Sequence, residues 1–223
     1  MIERDEGAMA IIALQWIKGF PPYIYSLNNA GPLAYLIYAS STYMFGSNII
    51  PIRMINNILF FLSVFALFLV VVQLFGKKVA LYSSFFYGVF MSAPIDEGQL
   101  SLTSSLSASF IVFSIYFCWK YFNNNSEKEL FKASFLFSCA FLIKVHLALG
   151  IVWLPVVILV NSLSNSNEFG PKRTLIDFVT TIVGFSILPL IFLTYFWSIS
   201  AIDDLFYVFV ELTLLGHPNL PDV

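Results

Sequence analysis

Two acidic triplets with the sequence Asp-Glu-Gly stand out in a chain that carries few charged residues. One triplet begins with Asp5 and Glu6, and the other begins with Asp96 and Glu97. Carboxylates that converge on one site can hold a divalent cation, whereas carboxylates on separate loops are usually only solvated. The choice between these readings depends on whether the two triplets face the same side of the molecule.

Three cationic residues are the natural counterparts of these acids. Lys144 directly follows the apolar run at 140–143, and ionisable residues that interrupt apolar segments usually mark functional sites. The alternative for Lys144 is a helix-end lysine that extends to the lipid headgroups. Arg53 is either a functional cation or an anchor at the membrane interface. His146 is either a ligand or a polar cap of the helix hairpin that follows Lys144.

The composition identifies the class of protein that must position these residues. Hydrophobic residues make up 59% of the chain and charged residues only 11%, whereas a soluble domain has about 25% charged residues. An aromatic content of 18% suits lipid-facing helices and membrane interfaces. The net charge of -2 argues against nucleic acid as a partner. Cys118 and Cys139 both lie in apolar runs and show no disulfide or metal spacing.

The apolar runs predict an all-α polytopic integral membrane protein with a bundle of about six transmembrane helices. A helix crosses the bilayer core with about 20 residues, and we expect shorter spans to be tolerated inside a bundle. The predicted runs are 54–75, 79–93, 102–122, 131–143, 147–160 and 174–196.

Three regions follow from these runs. Residues 1–53 are predicted to form a loop with interfacial helices. The candidate helices are 7–17 and 32–45, and they would lie along the membrane surface. Residues 54–200 form the bundle, and residues 201–223 form a surface helix and a tail.

The charges sort by side when the runs are threaded alternately through a membrane. One side collects seven of the eleven basic residues, namely Lys77, Lys78, Lys120, Lys128, Lys132, Lys172 and Arg173. The other side collects nine of the thirteen acidic residues. Basic loops prefer the cytoplasm, so both acidic triplets and Lys144 are predicted at the extracytoplasmic face of the cell membrane.

Several short stretches resemble one group of polytopic enzymes. Residues 4–7 (RDEG), 19–23 (GFPPY) and 28–35 (NNAGPLAY), followed by Arg53, resemble the first outer loop of the protein O-mannosyltransferase and aminoarabinose-transferase group, which has the GT-C fold. The weaker matches are 74–81 (LFGKKVAL), similar to a cytoplasmic turn, 140–144 (AFLIK), similar to an apolar helix that ends in lysine, and 202–206 (IDDLF), similar to an outer surface helix.

The sequence also departs from that group. Its members begin with a membrane helix before the acidic loop and continue through further helices, so the resemblance implies that this chain is roughly the first half of such an enzyme without the first helix. Their second acidic residue lies near the start of the fourth membrane helix. The corresponding stretch at 102–106 reads LTSSL, so Asp96 or Glu97 would have to take that place.

The resemblance implies a reaction and a role for each charged residue. The reaction is an inverting transfer of sugar from a polyprenyl-phosphate sugar to an acceptor hydroxyl on a lipid, protein or glycan. Asp5 matches the base that takes the proton of the hydroxyl, and Glu6 would orient it or help to bind the sugar or a divalent cation. Lys144 and Arg53 would stabilise the departing lipid phosphate.

The remaining polar residues and two other functions complete the expectations. By the same resemblance, Tyr23, Tyr25, Tyr35 and His146 would cover the sugar and the first isoprene units. A transporter or lipid flippase fragment would also use intramembrane charges and broken helices, although the sequence shows one such break rather than a repeat-related pair. A non-catalytic lipid-binding remnant is the third reading.

Overall fold

The computed structural model describes residues 4–24, 26, 30–92, 103–164 and 171–208, and these residues contain helices and no strand. The prediction of an all-α membrane protein is confirmed. The helices are α1 (Arg4–Ile17), α2 (Pro32–Phe45), α3 (Ile50–Phe75), α4 (Lys77–Ser92), α5 (Thr103–Asn124), α6 (Glu127–Ile143), the 3₁₀ helix Val145–Val152, α7 (Trp153–Ser164), α8 (Pro171–Ser198) and α9 (Ile202–Phe206).

Among the residues described, three helices are long and apolar enough to cross a membrane, namely α3, α5 and α8. At 1.5 Å per residue, the 26 residues of α3 span about 39 Å, which exceeds a hydrocarbon core of about 30 Å. Its outer face exposes Phe61, Leu62 and Phe65. Such large apolar side chains are costly in water but suit a lipid environment.

The other predicted spans are shorter helices that pack against these three. Helix α4 returns along α3 through the single residue Gly76, whose φ of +84° is readily adopted by glycine. Helix α6 returns along α5 and also contacts α8. Lys144 takes an extended conformation that ends α6. The run predicted at 147–160 is divided between the 3₁₀ helix and α7.

Helices α1 and α2 pack on each other and on one end of the bundle. Gly31, which precedes α2, donates its backbone N–H to the carbonyl oxygen of Ile143 at 2.9 Å. At the same end, the indole Nε1 of Trp16 donates to the hydroxyl of Tyr195 on α8 at 2.7 Å. The region predicted as an interfacial loop therefore forms a cap that is tied to α6 and α8.

A second polar cluster lies at the opposite end of the bundle. The fully buried Asp177 of α8 accepts a hydrogen bond from the Tyr121 hydroxyl at 2.6 Å. Arg173 lies 3.4 Å from Asp177 and also donates to Glu127 and to the carbonyl oxygen of Asn125, both at 2.6 Å. These contacts join the start of α8 to the turn between α5 and α6.

Candidate functional site

The capped end of the bundle brings together residues that are distant in sequence. The first turns of α3 and α5, the last turn of α6 and the C-terminal part of α8 meet there beneath α1 and α2. Asp5, Glu6, Arg53 and Lys144 consequently lie at the same end of the bundle. Asp96, Glu97 and Tyr25 lie outside the described residues.

Glu6 and Arg53 form a two-pronged ion pair. The Nε atom of Arg53 donates to one carboxylate oxygen of Glu6 at 2.9 Å, and Nη2 donates to the other at 2.5 Å. Glu6 is fully buried, whereas the Arg53 side chain is 28% exposed. This fork geometry is the strong form of an arginine–carboxylate contact, so Glu6 fixes the orientation of the guanidinium group.

Asp5, the neighbour of Glu6, points in a different direction. It lies in the first turn of α1 and is exposed. Successive side chains on a helix are about 100° apart, so one acid of the pair is enclosed while the other faces the surroundings. A carboxylate in the first turn is also favoured by the positive end of the helix dipole. Asp5 is therefore accessible to a substrate, and Glu6 is not.

Polar residues continue from Arg53 towards Lys144. Asn56 lies three residues after Arg53 on α3, and its side-chain oxygen accepts a hydrogen bond from the Ser105 hydroxyl at 3.1 Å. The hydroxyl of the adjacent Ser104 accepts one from the Lys144 ammonium at 2.8 Å. We refer to Glu6, Arg53, Asn56, Ser105, Ser104 and Lys144 as the polar row. It crosses α1, α3 and α5 and reaches the end of α6.

Sequence reasoning missed the middle of the polar row. Asn56 and Ser105 are both buried, and buried polar groups are normally hydrogen-bonded. The signal was the presence of amides and hydroxyls in otherwise apolar runs, at MINN (54–57) and LTSSL (102–106). The second of these stretches lacks the carboxylate that the resemblance implies, and its hydroxyls make the polar contacts instead.

The tyrosines predicted to cover a substrate are buried. The hydroxyl of Tyr23 donates to the carbonyl oxygen of Ala30 at 2.7 Å, and its ring packs edge-on against Tyr35 with centroids 5.8 Å apart. Burial raises the pKa of both phenols above the usual range, and the charge of Tyr35 raises the pKa of Tyr23 further. These rings stabilise the cap from within. His146, by contrast, is exposed, two residues after Lys144.

A divalent cation would need ligands beyond those that the structure describes. Within the described part of the chain, no three His, Cys, Asp or Glu side chains are grouped as metal ligands would be. Both carboxylate oxygens of Glu6 bond to Arg53. Asp5 would therefore depend on Asp96 or Glu97 as a second ligand, and the metal site stays a prediction.

Comparison with known proteins places most of these residues in one family. No curated protein and no solved structure matches the chain. Residues 29–170, which are more than half of the chain, match the family described as dolichyl-phosphate-mannose-protein mannosyltransferase. The matched region contains the polar row from Arg53 to Lys144, whereas Asp5 and Glu6 precede it. The chain therefore belongs to this mannosyltransferase family of membrane glycosyltransferases.

Proposed function

We propose that this protein transfers a sugar from a polyprenyl-phosphate sugar to an acceptor hydroxyl at the extracytoplasmic membrane face. Family membership supports sugar transfer from a lipid-linked donor. The observation that carries the more specific proposal is the polar row, with a cation near each end and an exposed acid, Asp5, beside Glu6. The acceptor hydroxyl can belong to a lipid, a protein or a glycan.

Asp5 activates the acceptor in this proposal. A neutral hydroxyl is a poor nucleophile, and a carboxylate can take its proton as the oxygen attacks the anomeric carbon. The new bond joins the acceptor oxygen to that carbon. The bond from the carbon to the phosphate oxygen breaks, and its electron pair stays on the phosphate. Attack opposite the departing phosphate inverts the anomeric configuration.

Lys144 and Arg53 stabilise the departing lipid phosphate. An ammonium group has three donors, and one of those on Lys144 bonds to Ser104, which aims the group and leaves capacity for a phosphate oxygen. The Arg53 guanidinium is oriented by Glu6 and remains partly exposed. Fixed donors of this kind stabilise charge that develops during a reaction without having to reorganise. Glu6, Ser104, Ser105 and Asn56 act as positioning residues.

The distribution of charge supports the proposed orientation. The end of the bundle opposite the polar row carries Lys77, Lys78, Lys120, Lys128 and Lys132. Cytoplasmic segments are enriched in lysine and arginine, so the polar row faces outward. A single cysteine introduced at Asp204, at the proposed outer end, should react with an impermeant thiol reagent in sealed right-side-out vesicles. A single cysteine introduced at Lys128 should not react.

The reaction is tested with membranes from the native host, which supply the acceptor, and a radiolabelled polyprenyl-phosphate mannose as the probe. General bases typically contribute about 10²–10⁴ to the rate, so Asp5→Asn should transfer at least about 100-fold less label. Asp204→Asn, a change of an exposed acid in the first turn of α9, is the matched control. Unchanged transfer in Asp5→Asn would exclude Asp5 as the base.

Donor binding separates the role of Lys144 from that of Asp5. We expect Lys144→Met to weaken binding of the polyprenyl-phosphate mannose, Lys144→Arg to retain most of it, and Asp5→Asn to retain it fully. Equal donor affinity in Lys144→Met would leave Lys144 as a lysine that merely extends to the headgroups. The anomeric configuration of the labelled product, compared with that of the donor, tests the inversion independently.

A further inference from the structure

Helices α3 and α5 enclose a cleft at the end of the bundle opposite the polar row. Its volume is about 220 Å³. Its principal lining residues are Leu69 and Gln73 of α3 with Tyr116, Trp119, Lys120 and Asn123 of α5. None of these residues belongs to the polar row, so the cleft is a separate feature of the molecule. We refer to it as the α3–α5 cleft.

The spacing of the lining residues shows that two helix faces form the α3–α5 cleft. Tyr116, Trp119, Lys120 and Asn123 follow the spacing i, i+3, i+4, i+7, which places them on one side of α5. Leu69 and Gln73 are four residues apart and share a side of α3. Each helix presents a continuous stripe to the cleft, and each stripe ends near the end of its helix.

Polarity changes along the α3–α5 cleft in the direction of the helix axes. Gln73 lies two residues before the end of α3, and Asn123 lies one residue before the end of α5. Leu69 and Tyr116 lie about 9 Å and about 12 Å from those ends, at 1.5 Å per residue. The cleft is thus apolar on the membrane side and rich in amides at the bundle end, with Lys120 between them. A phospholipid has the same order of acyl chain, phosphate and polar headgroup.

Lys120 gives the α3–α5 cleft its charge. It is the one charged residue among those that line the cleft. Its ammonium lies 5.1 Å from the centre of the Tyr116 ring and 5.9 Å from that of Phe117, so cation–π attraction holds it over the aromatic surface. Tyr116 stacks on Trp119 with centroids 6.4 Å apart. Tyrosine and tryptophan are enriched at headgroup depth.

We propose that the α3–α5 cleft binds the phosphate headgroup of an anionic glycerophospholipid. Lys120 pairs with the phosphate, while the amides of Gln73 and Asn123 bond to the polar part of the headgroup. Leu69 and the aromatic pair contact the start of an acyl chain. Basic sites between helices at the cytoplasmic face suit anionic lipids, which are concentrated in that leaflet. This inference rests on the proposed membrane orientation but not on the sugar-transfer chemistry at the other end.

Binding of short-chain phosphatidylglycerol and phosphatidylcholine to the purified full chain in neutral detergent tests the proposal. One lysine near an anionic membrane contributes about 1 kcal/mol, which corresponds to about fivefold in affinity. We therefore expect the wild type to bind phosphatidylglycerol about fivefold more tightly. Lys120→Gln should lose that preference, and Lys120→Arg should keep it. Lys128→Gln, a change of an exposed lysine of α6 outside the cleft, should also keep it.

Three results would overturn the proposal. The first is equal binding of the two lipids by the wild type, and the second is an unchanged preference in Lys120→Gln. The third is competition by inorganic phosphate or glycerol 3-phosphate at the same concentration as phosphatidylglycerol, which would assign the α3–α5 cleft to a soluble phosphate. The rate of labelled sugar transfer, measured in parallel in membranes from the native host, should be the same for Lys120→Gln as for the wild type. The two sites are therefore tested separately.

Discussion

The fully buried carboxylate of Glu6 is held by the guanidinium of Arg53, 47 residues further along the chain. This contact ties the first turn of α1 to the first turns of α3. It also fixes the side of α1 that faces the bundle, so the adjacent Asp5 is turned outward. The pair thus links the fold of the cap to the placement of the proposed base.

Breaking this pair should destabilise the protein strongly. Arg53→Gln leaves the buried Glu6 carboxylate without its cation, and removing one partner of a buried ion pair typically costs about 3–5 kcal/mol. Because Arg53 is 28% exposed, we expect a value near the lower limit. Thermal unfolding of the purified protein in detergent should show a correspondingly reduced midpoint.

An exposed lysine provides the matched control. Lys128→Gln removes a charge from the surface of α6, and a substitution of this kind is expected to change the stability by less than about 0.5 kcal/mol. The double variant Glu6→Gln/Arg53→Gln should be less destabilised than the two single changes together, because it leaves no uncompensated charge. Equal losses in Arg53→Gln and Lys128→Gln would contradict the importance of the buried pair.

Gly31→Ala should separate the cap from α6. A Cβ atom at this position would overlap the carbonyl oxygen of Leu142 and lie 2.5 Å from its carbon. Both are backbone atoms, which cannot move aside as a side chain can, so the hydrogen bond from Gly31 to Ile143 should be lost. Overpacking typically costs about 1–3 kcal/mol or more.

Gly88→Ala is the control for this change. Gly88 lies within α4, and a Cβ atom there would meet nothing within 4 Å. Alanine is also the better helix former by about 1 kcal/mol. We therefore expect unchanged or slightly higher stability for Gly88→Ala and a lower unfolding midpoint with weaker donor binding for Gly31→Ala. Wild-type donor binding in Gly31→Ala would show that the contact between the cap and α6 does not shape the site.

Tyr23 should make the protein sensitive to alkaline pH. Burial raises the pKa of this phenol in the folded state, above its usual value of about 10. The folded protein keeps a proton that the unfolded chain releases, so this stabilisation is complete below about pH 10 and declines as the pH rises further. The unfolding midpoint of the wild type should fall above that pH.

Replacing the phenol should change both the level and the slope of this profile. Tyr23→Phe lacks the hydrogen bond to Ala30, which costs about 1 kcal/mol at neutral pH, but its decline above about pH 10 should be shallower. Tyr43→Phe, a change of a phenol that is 80% exposed, should follow the wild-type slope. Parallel profiles for wild type and Tyr23→Phe would exclude Tyr23 as a source of the alkaline loss.

Much of the helical organisation could be predicted from the sequence. The apolar run at 32–45 coincides with α2, and the run at 54–75 ends where α3 ends, because Gly46 and Gly76 adopt positive φ angles after these helices. The division of 147–160 into a 3₁₀ helix and α7 was missed, since both parts are uniformly apolar and hydropathy alone does not distinguish them.

The sequence allowed the charged residues of the candidate site to be assigned to one face, but it did not show which of them pair. Opposite charge and a shared face suggested that Glu6, Arg53 and Lys144 lie near one another. The contact between Asn56 and Ser105 spans 49 residues and arises from how α3 packs on α5, for which a single sequence carries no direct signal. Serines are also common where membrane helices pack closely, so Ser104 and Ser105 could equally have been packing residues.

The polar cluster at the other end of the bundle should contribute stability without affecting the reaction. Asp177 lies six residues into α8 and is fully buried, with one carboxylate oxygen bonded to the Tyr121 hydroxyl at 2.6 Å. The other oxygen lies 3.4 Å from Arg173 without a hydrogen bond. In Tyr121→Phe the Asp177 carboxylate loses the hydrogen bond from the Tyr121 hydroxyl. Leaving a buried polar group unsatisfied costs about 1–3 kcal/mol, and more for a charged one.

Unfolding by sodium dodecyl sulfate in mixed micelles measures this loss. Tyr82→Phe is the matched control, because its phenol is 67% exposed on α4 and its removal should change the stability by less than about 0.5 kcal/mol. Asp177→Asn and the double variant complete a mutant cycle, for which residues in contact give coupling energies of about 0.5–3 kcal/mol. Donor binding at the opposite end should be unchanged in all four variants. If Tyr121→Phe is as stable as Tyr82→Phe, the Tyr121 hydroxyl does not stabilise Asp177. If donor binding is weakened in Tyr121→Phe or Asp177→Asn, the two ends of the bundle are coupled.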